Sequence, residues 1–479
     1  MAQDNNFLLP LFLLLLLGHP TTTQGEYQQP HQEISAVDLA ALHEIKSSLA
    51  DIPGTDFFSS WDFTSPDPCS SFSGVACSPT PPPRITSLTL GTGLSDSPGL
   101  AGSLSPSLSN LTELTQLVLF PGIVTGPIPP QLGNLKKLRV ISLTNNLLAG
   151  PIPTSLSTLP EIHTLDLSHN QLTGSVPPGL SGLPMLKVLI LASNRLSGEL
   201  PRNVPTQLLH LDLKNNRLSG WLPKLPLSLR YFSASGNQMW GPLNGLESLT
   251  ELVYLDLSMN HFSGTIPTSL FRPSLSSMLL QRNNLSGGIP QPHLVVGSTS
   301  SYGQGSIVDL SHNFLSGELS NALAGVEALY LNNNRLMGKV PWEYVESVYR
   351  GSTKTLYLQH NYISDFPLEA GMALPDSVSL CLSYNCMVPP VGVGLSACPP
   401  SAGDNPNTCS NQLMVRSNDH LRSLRMKLSD LTNIELLLRV VETTKPPAVP
   451  RGVQLKNIFK ALGLVCTSYV TCIPRGALT

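Results

Sequence analysis

Apolar residues recur along most of the chain in a fixed frame, and polar residues occupy the positions between them. The shared unit is LxxLxLxxNxLxGxIP, which is clearest at Leu138–Pro153, Ile162–Pro177, Leu186–Pro201 and Leu252–Pro267. Within each LxL the leucines are two residues apart, the period of a strand that buries one face. The pattern therefore predicts one short strand in every repeat, with its leucines inward and the residue between them outward.

An asparagine follows the LxL in eleven repeats, namely Asn146, Asn170, Asn194, Asn216, Asn237, Asn260, Asn283, Asn313, Asn334, Asn361 and Asn385. Gly122 holds that place one repeat earlier, and Gly93 holds it in the first repeat. The spacing from 122 to 385 averages about 24 residues, a period typical of repeat architectures. We therefore predict an α/β repeat solenoid of about 13 units over residues 84–385, in which each unit packs on its neighbours.

Each part of the unit has a physical role in such a stack. Strands of neighbouring units pair at about 4.8 Å and build one long parallel sheet, and the stack curves like a horseshoe with this sheet on its concave face. The asparagine side chain donates and accepts, so a column of asparagines can satisfy backbone groups where the chain leaves the sheet. The glycine frees the backbone at the turn, and the proline stiffens the return segment.

The LxGxIP that follows the asparagine resembles the plant-specific class of extracellular leucine-rich repeats, over roughly residues 36–409. That class includes receptor-like proteins, receptor-kinase ectodomains and polygalacturonase-inhibiting proteins. The resemblance implies an N-terminal cap over residues 36–83, with a capping helix at Asp38–Leu49 and a cysteine-paired segment at Asp67–Cys77 that follows Trp61. Phe72 stands where many relatives have tryptophan, which is a conservative apolar exchange.

The eight cysteines lie near the two ends of the repeats and beyond them. In a secreted chain, cysteine clusters around a cysteine-free middle indicate disulfide-stapled caps. A zinc site is the alternative, but it prefers CxxC doublets with nearby histidines, and these are missing. We predict a C-terminal cysteine cap over residues 386–409, no metal and no cofactor, and disulfides at Cys69, Cys77, Cys381, Cys386, Cys398 and Cys409. The remaining two cysteines are Cys466 and Cys472.

The two ends of the chain differ from the repeats. The apolar run from Phe7 to Leu17, followed by small and polar residues, indicates a secretory signal peptide over residues 1–25. No other segment reaches the ~18 apolar residues of a membrane span, so we expect no transmembrane anchor. Residues 410–479 form a basic tail, with helical spacing over Leu421–Val441 that suits either a cap on the last repeat or a membrane surface. We expect the tail to be partly disordered.

The sequence lacks the common catalytic signatures HExxH, GxSxG, the P-loop and the protein-kinase motifs. The best catalytic candidate is a column of carboxylates in alternate repeats, Asp166, Asp212, Asp256 and Asp309. Neighbouring members would lie about 9.5 Å apart, near the separation that inverting glycosidases use. An open sheet face offers no apolar pocket to make one carboxyl an acid, so we interpret these aspartates as lateral hydrogen-bonding residues and predict no enzyme.

A binding role for the concave face is better supported by its outward residues. Tyrosine and arginine anchor interfaces because they bury area and keep a polar tip. The candidate ligand-binding residues are His169, Lys214, Tyr231, Tyr254, Gln281, Arg282, His312, Tyr330, Tyr357 and His360. Tyr231 and Tyr254 hold the same place in consecutive repeats and should stand side by side. The alternative is a scatter of surface aromatics on a solvated sheet. The inner face has no RxR motif of the kind that some peptide-hormone receptors use.

Two further features concern the surface. The interval from Asn283 to Asn313 is about six residues longer than the period, and the surplus falls in Gln291–Gly305, either a binding insertion or a neutral loop. The sequons at Asn110 and Asn284 predict N-glycosylation in the secretory pathway.

Three functions compete at this stage. The leading hypothesis is a kinase-less, receptor-like recognition protein that binds a protein, peptide or wall ligand and acts through a membrane partner such as a receptor kinase, in signalling or defence. The second is an inhibitor of a wall-degrading enzyme, similar to the polygalacturonase-inhibiting proteins. The third is a structural wall protein. All three predict secretion to the apoplast or cell wall, or residence at the outer plasma membrane. The net charge of −3 gives no indication of nucleic acid.

Overall fold

The computed structural model divides the chain into two compact units, Thr23–His420 and a second unit made of Met1–Thr22 with Leu421–Thr479. The residues that it describes are 34–387, except 66, 93–98, 292–301, 369–374 and 376, together with the strand backbones at Leu464–Ser468 and Thr471–Pro474. The predicted signal peptide, most of the predicted C-terminal cap and most of the tail lie outside the described residues.

The N-terminal cap begins with helix α1, Ala36–Ser48, in the place predicted for a capping helix. A short helix α2, Pro68–Ser71, carries Cys69, which forms with Cys77 the disulfide that the resemblance implied. Phe72 packs flat on the buried Trp61, with ring centroids 5.2 Å apart and planes 17° apart. The phenylalanine therefore fills an aromatic core position in the cap.

The LxL segments form the predicted sheet, here named the principal sheet, which has 14 strands in the described part of the chain. Its first pair is antiparallel and every later pair is parallel. Its strands are β2 Val75–Cys77, β3 Ile85–Leu90, β5 Gln116–Leu119, β7 Val140–Ser142, β9 Thr164–Asp166, β11 Val188–Ile190, β13 His210–Asp212, β15 Tyr231–Ser233, β17 Tyr254–Asp256, β19 Ser277–Leu279, β21 Ile307–Asp309, β23 Ala328–Tyr330, β25 Thr355–Tyr357 and β27 Ser379–Cys381.

The sequence predicted a single sheet, and the structure contains another, here named the second sheet, with 13 described strands. Its first strand belongs to the cap and is antiparallel to the next one, and the others are formed by the segments that follow the asparagine position of each repeat and end near the repeat glycine. Its strands are β1 Leu49–Asp51, β4 Leu100–Ser103, β6 Ile123–Gly126, β8 Leu147–Pro151, β10 Gln171–Gly174, β12 Arg195–Glu199, β14 Arg217–Gly220, β16 Gln238–Gly241, β18 His261–Gly264, β20 Asn284–Gly287, β22 Phe314–Glu318, β24 Arg335–Lys339 and β26 Tyr362–Asp365.

Return segments between the two sheets carry short helices. One is an α-helix, α3, Trp342–Tyr349. The 3₁₀-helices are Phe57–Ser60 in the cap and Pro106–Asn110, Pro130–Asn134, Thr154–Thr158, Pro178–Gly182, Asn244–Leu246, Thr268–Leu270 and Asn321–Leu323 in the repeats. The leucines of strands and returns meet in one continuous buried core, as the repeat predicts.

The asparagine column works as predicted. In Asn170, the side-chain oxygen accepts from the backbone N–H of Leu148 in the preceding repeat at 3.0 Å. Its Nδ2 donates to the carbonyl oxygens of Leu143 at 2.7 Å and of Ser168 at 3.0 Å. The same pattern recurs at Asn194, and both side chains are buried. Each asparagine thus satisfies backbone groups where the chain passes from one sheet to the other.

The described part of the other unit is a hairpin of strands β28, Leu464–Ser468, and β29, Thr471–Pro474. The two strands are antiparallel, and their register pairs Cys466 with Cys472.

Candidate ligand-binding surface

The centre of the principal sheet carries a stack of three rings. Tyr231 and Tyr254 begin β15 and β17 and are paired in register, with ring centroids 4.4 Å apart and planes 3° apart. His210 begins β13 and stacks on Tyr231 at 4.0 Å and 2°. Parallel pairing places equal positions of neighbouring strands about 4.8 Å apart, which lies within the range of centroid separations of aromatic pairs. We name His210, Tyr231 and Tyr254 the ring ladder.

The two tyrosines stand side by side as predicted, whereas His210 was not among the predicted ligand-binding residues. The signal was available in the sequence, because His210 precedes Leu211 in the same frame position that Tyr231 and Tyr254 hold. A histidine viewed alone is uninformative, and only its alignment with the two tyrosines indicates a shared role.

Burial keeps His210 and Tyr231 uncharged near neutral pH. It lowers the pKa of His210 to about 4, with a smaller contribution from the positive charge of Lys214. Burial also raises the pKa of the Tyr231 hydroxyl far above its usual value, and the carboxylate of Asp212 adds to that increase. The ladder therefore presents neutral rings with polar edges near neutral pH.

The aspartates of the carboxylate column bond along their own strand ends. Asp256 accepts from the N–H of Ser258 at 3.1 Å and from its hydroxyl at 2.7 Å. Asp212 accepts from the N–H of Lys214 at 3.1 Å and lies 3.4 Å from its ammonium group. Burial raises the pKa of Asp212, and its contacts with Lys214 oppose that increase.

The other members of the column are held in the same way. Asp166 accepts from the N–H of Ser168 at 3.0 Å and from its hydroxyl at 2.6 Å, and Asp309 accepts from the N–H of Ser311 at 3.0 Å. Burial raises the pKa of Asp166. This arrangement agrees with the hydrogen-bonding interpretation, although the bonds run along the strand rather than across the sheet.

A second aromatic group lies toward the C-terminal end of the principal sheet. Tyr330 and Tyr357 end β23 and β25 and meet edge to face, with centroids 5.2 Å apart. The hydroxyl of Tyr357 is 3.1 Å from that of Ser379. Burial raises the pKa of Tyr330 to about 12. Both side chains are half-buried, so they present a firmly packed polar edge.

Four other predicted residues occupy a turn rather than a strand. His169, Arg282, His312 and His360 lie directly before their asparagines and have φ between 53° and 57°. Their side chains are exposed, and His360 stacks on Tyr384 at 4.2 Å. The turn has a left-handed residue before each repeat asparagine, and this conformation favours asparagine and histidine among non-glycine residues. Their residue types therefore reflect a backbone requirement as well as any contact with a ligand.

The remaining surface features are placed as follows. Gln281 and Lys214 are half-buried, and each lies two residues past the end of its strand. Asn110 and Asn284 are exposed, so both sequons stay candidate glycosylation sites. Residues 292–301 of the insertion lie outside the described residues.

The predicted C-terminal disulfides have a partial outcome. Cys386 is disulfide-bonded, and the Sγ of Cys381 lies 3.5 Å from the hydroxyl of Ser383. Cys398 and Cys409 lie outside the described residues. A helix with the length and apolarity of a membrane span does not occur among the residues that the structure describes.

Family comparisons agree with this architecture. A leucine-rich-repeat N-terminal domain matches residues 35–78, and leucine-rich repeats match residues 131–196 and 251–272. Together with the two repeat sheets and the stapled cap, these matches support a leucine-rich-repeat protein that is similar to the plant extracellular type.

Within that class the chain is similar to several receptors of Arabidopsis thaliana. It is 34% identical to Receptor-like protein 54 over 145 residues, which cover 28% of this chain and 17% of that relative. The structure of the Arabidopsis receptor kinase HAESA, in complex with the peptide hormone IDA and the co-receptor SERK1, matches with a TM-score of 0.57 and 29% identity. That match covers 74% of this chain and 58% of HAESA.

A plant peptide hormone receptor, RGFR1 in complex with RGF2, matches with a TM-score of 0.50 and 26% identity, over 60% of this chain and 50% of that chain. The matches therefore cover less than two thirds of each of these relatives. They support a receptor-like leucine-rich-repeat architecture and are consistent with an extracellular location.

Proposed function

We propose that this protein is a kinase-less recognition module of the apoplast that binds a peptide or an extended protein segment across the principal sheet. The ring ladder is the centre of the bound surface, and the pair Tyr330 and Tyr357 forms its C-terminal side. We further propose that signalling runs through a membrane partner such as a receptor kinase.

The observation that carries the proposal is the ring ladder. Its three rings keep one orientation before any ligand arrives, so binding loses little side-chain entropy at this surface. Tyrosine edges offer apolar area together with hydroxyl groups, the combination that anchors protein interfaces. The peptide complexes of the HAESA and RGFR1 ectodomains make a peptide the favoured ligand class here.

A site-specific crosslinking experiment tests this proposal. The photoreactive amino acid benzoylphenylalanine replaces Tyr254 in the full-length secreted protein, which is then irradiated in extracellular fluid and at the surface of plant cells. We expect a discrete crosslinked species that Tyr231→Ala weakens at least about tenfold, since truncating an anchor residue often costs 2 kcal/mol or more.

Tyr362 provides the matched control, because it is a tyrosine on the second sheet and is 49% exposed. Benzoylphenylalanine at this position should not give the same species. Equal crosslinking from positions 254 and 362, or a species that Tyr231→Ala leaves unchanged, would contradict binding at the ring ladder. Recovery of a receptor kinase with the wild type but not with Tyr231→Ala would support the signalling partner.

The inhibitor hypothesis makes a different prediction. A polygalacturonase inhibitor slows pectin hydrolysis when the purified protein is added in excess, whereas a receptor-like module leaves the rate unchanged. We expect an unchanged rate of pectin hydrolysis. Inhibition that Tyr231→Ala abolishes would instead identify a wall enzyme, rather than a peptide, as the ligand of the ring ladder.

A further inference from the structure

Two exposed tryptophans lie on the second sheet, away from the ring ladder. Trp240 is in β16 and Trp221 directly follows β14, and they are 46% and 59% exposed. Their rings meet edge to face, with centroids 5.4 Å apart and planes 82° apart. Large exposed aromatic side chains that are held in one orientation are uncommon at a surface without a partner.

The ring of Trp221 packs over the backbone of Gly241 in the next repeat, where the missing side chain leaves room for it. In successive repeats, the side chain that follows the repeat glycine lies over the glycine of the next repeat. A Cβ built on Gly241 would lie 3.3 Å from the Trp221 ring, and one built on Gly220 would lie 2.7 Å from the Glu199 side chain. The indole therefore rests on bare backbone.

A cleft of about 360 Å³ lies in the two repeats that precede the repeat of Trp221, and its lining residues run from Ser175 to Asn203. Its polar walls come from Ser175, Ser181, Glu199, Arg202 and Asn203. Ser175 and Glu199 hold the frame position of Trp221 in the two preceding repeats, so cleft and indole are neighbours along one line.

The cleft has a cause in the sequence. The intervals that end at Asn216 and Asn237 are shorter than the period of about 24. The return segments after β12 and β14 lack the 3₁₀-helix that the preceding repeat has at Pro178–Gly182. A single backbone bridge between Asn203 and Lys224 joins them instead. Less chain therefore fills the space beside that helix.

We infer that this cleft and the adjoining face of Trp221 bind a neutral oligosaccharide. A pyranose ring presents C–H groups on its faces and hydroxyl groups around its rim. The apolar ring of Trp221 can pack against the C–H groups of the sugar. In the cleft, a carboxylate, a guanidinium, a carboxamide and two hydroxyls supply acceptors and donors for the sugar hydroxyl groups. The volume is near the lower end of small-ligand sites, which suits one sugar ring in the cleft and a linked ring on Trp221.

Calorimetric titration of the full-length secreted protein with cellohexaose tests the inference. We expect saturable binding that Trp221→Ala weakens at least about tenfold, as expected for loss of a central aromatic anchor. Arg202→Ala, which changes the cleft without touching the indole, should weaken binding as well. Trp342→Ala is the matched control, because Trp342 is 42% exposed on α3, and this variant should bind as the wild type does.

Circular dichroism and the melting temperature establish that each variant is folded. Absence of cellohexaose binding in the wild type would overturn the inference. It would also be overturned if Trp221→Ala and Arg202→Ala both bound cellohexaose as tightly as the wild type does. A preference for hexagalacturonate that Trp221→Ala does not affect would also overturn it, since it would indicate charge attraction alone. A protein or peptide that crosslinks at position 221 and that cellohexaose does not displace would identify a protein-docking surface instead.

Discussion

The side-chain oxygen of Asn260 accepts a hydrogen bond from the backbone N–H of Met239, one repeat earlier, at 2.9 Å. Its Nδ2 donates to the carbonyl of Ala234, also in the earlier repeat, at 2.8 Å. A donation to the carbonyl of Ser258 at 3.1 Å closes the network within its own repeat. One buried carboxamide thus joins the principal sheet to the second sheet and one repeat to the next.

Asn260→Ala should therefore destabilise the repeats by about 2–4 kcal/mol, because buried backbone groups of Met239 and Ala234 lose their partner. Equilibrium urea denaturation followed by circular dichroism measures the change. Asn244→Ala is the control, since Asn244 is exposed and its change should stay within about 0.5 kcal/mol. Equal effects of the two substitutions would contradict the structural role of the column.

Met259, directly before that asparagine, should limit stability rather than increase it. Its φ is 55°, and its side chain is 58% exposed, so the strained backbone gains little from burial. Met259→Asn should raise the free energy of unfolding by about 0.5–1 kcal/mol, because asparagine tolerates the left-handed region better.

The preceding repeat offers the opposite test at the same position. Gly236 has a φ of 63°, and a Cβ there would lie 2.7 Å from the side-chain oxygen of Asn215. Gly236→Ala should lower the free energy of unfolding by about 1 kcal/mol or more. Thermal denaturation of Met259→Asn and Gly236→Ala measures both changes. A change of stability with the same sign in both variants would contradict a requirement for left-handed backbone.

These positions also mark the limit of what the sequence predicts. Strand β9, Thr164–Asp166, lies inside the repeat from Ile162 to Pro177, where alternating leucines predict it. The second sheet was not predicted, because a strand such as Arg217–Gly220 buries one large apolar side chain, Leu218, and has no run of alternating ones. Its pairing depends on backbone hydrogen bonds between repeats. These bonds form only when the repeats stack, so the local sequence pattern does not predict them.

The candidate site was partly predictable for a similar reason. Tyr231 and Tyr254 share one frame position, so their contact follows from the period alone. The open cleft at Asn203 depends on how two short return segments leave space beside a helix, and this is a property of packing rather than of residue type. The edge-to-face contact of Trp221 and Trp240 likewise requires coordinates, since the two residues hold different frame positions.

His210 should make stability depend on pH in a defined window. Its pKa is about 4 in the folded protein and about 6.5 in an unfolded chain. Between these values the unfolded chain binds a proton that the folded chain does not, so stability falls as pH falls from 6.5 toward 4. By pH 5 the loss from this residue should be about 1–2 kcal/mol.

Comparison with His210→Phe isolates that contribution, because phenylalanine keeps a ring in the stack on Tyr231 and cannot titrate. The urea midpoints of wild type and variant should diverge between pH 7.5 and 5, with the wild type losing more. Partial desolvation lowers the pKa of His169 and of His312, and the positive charges of Lys214 and Arg282 add to that decrease, so both proteins should retain some pH dependence. Parallel curves would contradict the lowered pKa of His210.

The cap is fixed to the first repeat by the carboxylate of Asp38, which is fully buried. It accepts from the Nε of Arg84 at 3.0 Å, from its Nη2 at 2.8 Å and from the backbone N–H of Ile85 at 2.9 Å. Arg84→Ala leaves this carboxylate buried without its counter-charge, which typically costs about 3–5 kcal/mol. Asp38→Ala leaves the N–H of Ile85 without its acceptor and should cost about 1–3 kcal/mol.

The double variant measures the coupling free energy between Asp38 and Arg84 and so distinguishes a paired interaction from independent packing of the two side chains. If the two side chains act as a unit, Asp38→Ala combined with Arg84→Ala should cost clearly less than the two single changes added together, with a coupling of about 1–3 kcal/mol. Urea denaturation gives the four free energies, and limited proteolysis within the cap reports whether the loss is local. Additive effects would show that Asp38 and Arg84 stabilise the cap independently, and that the pair does not dock helix α1 on the repeats.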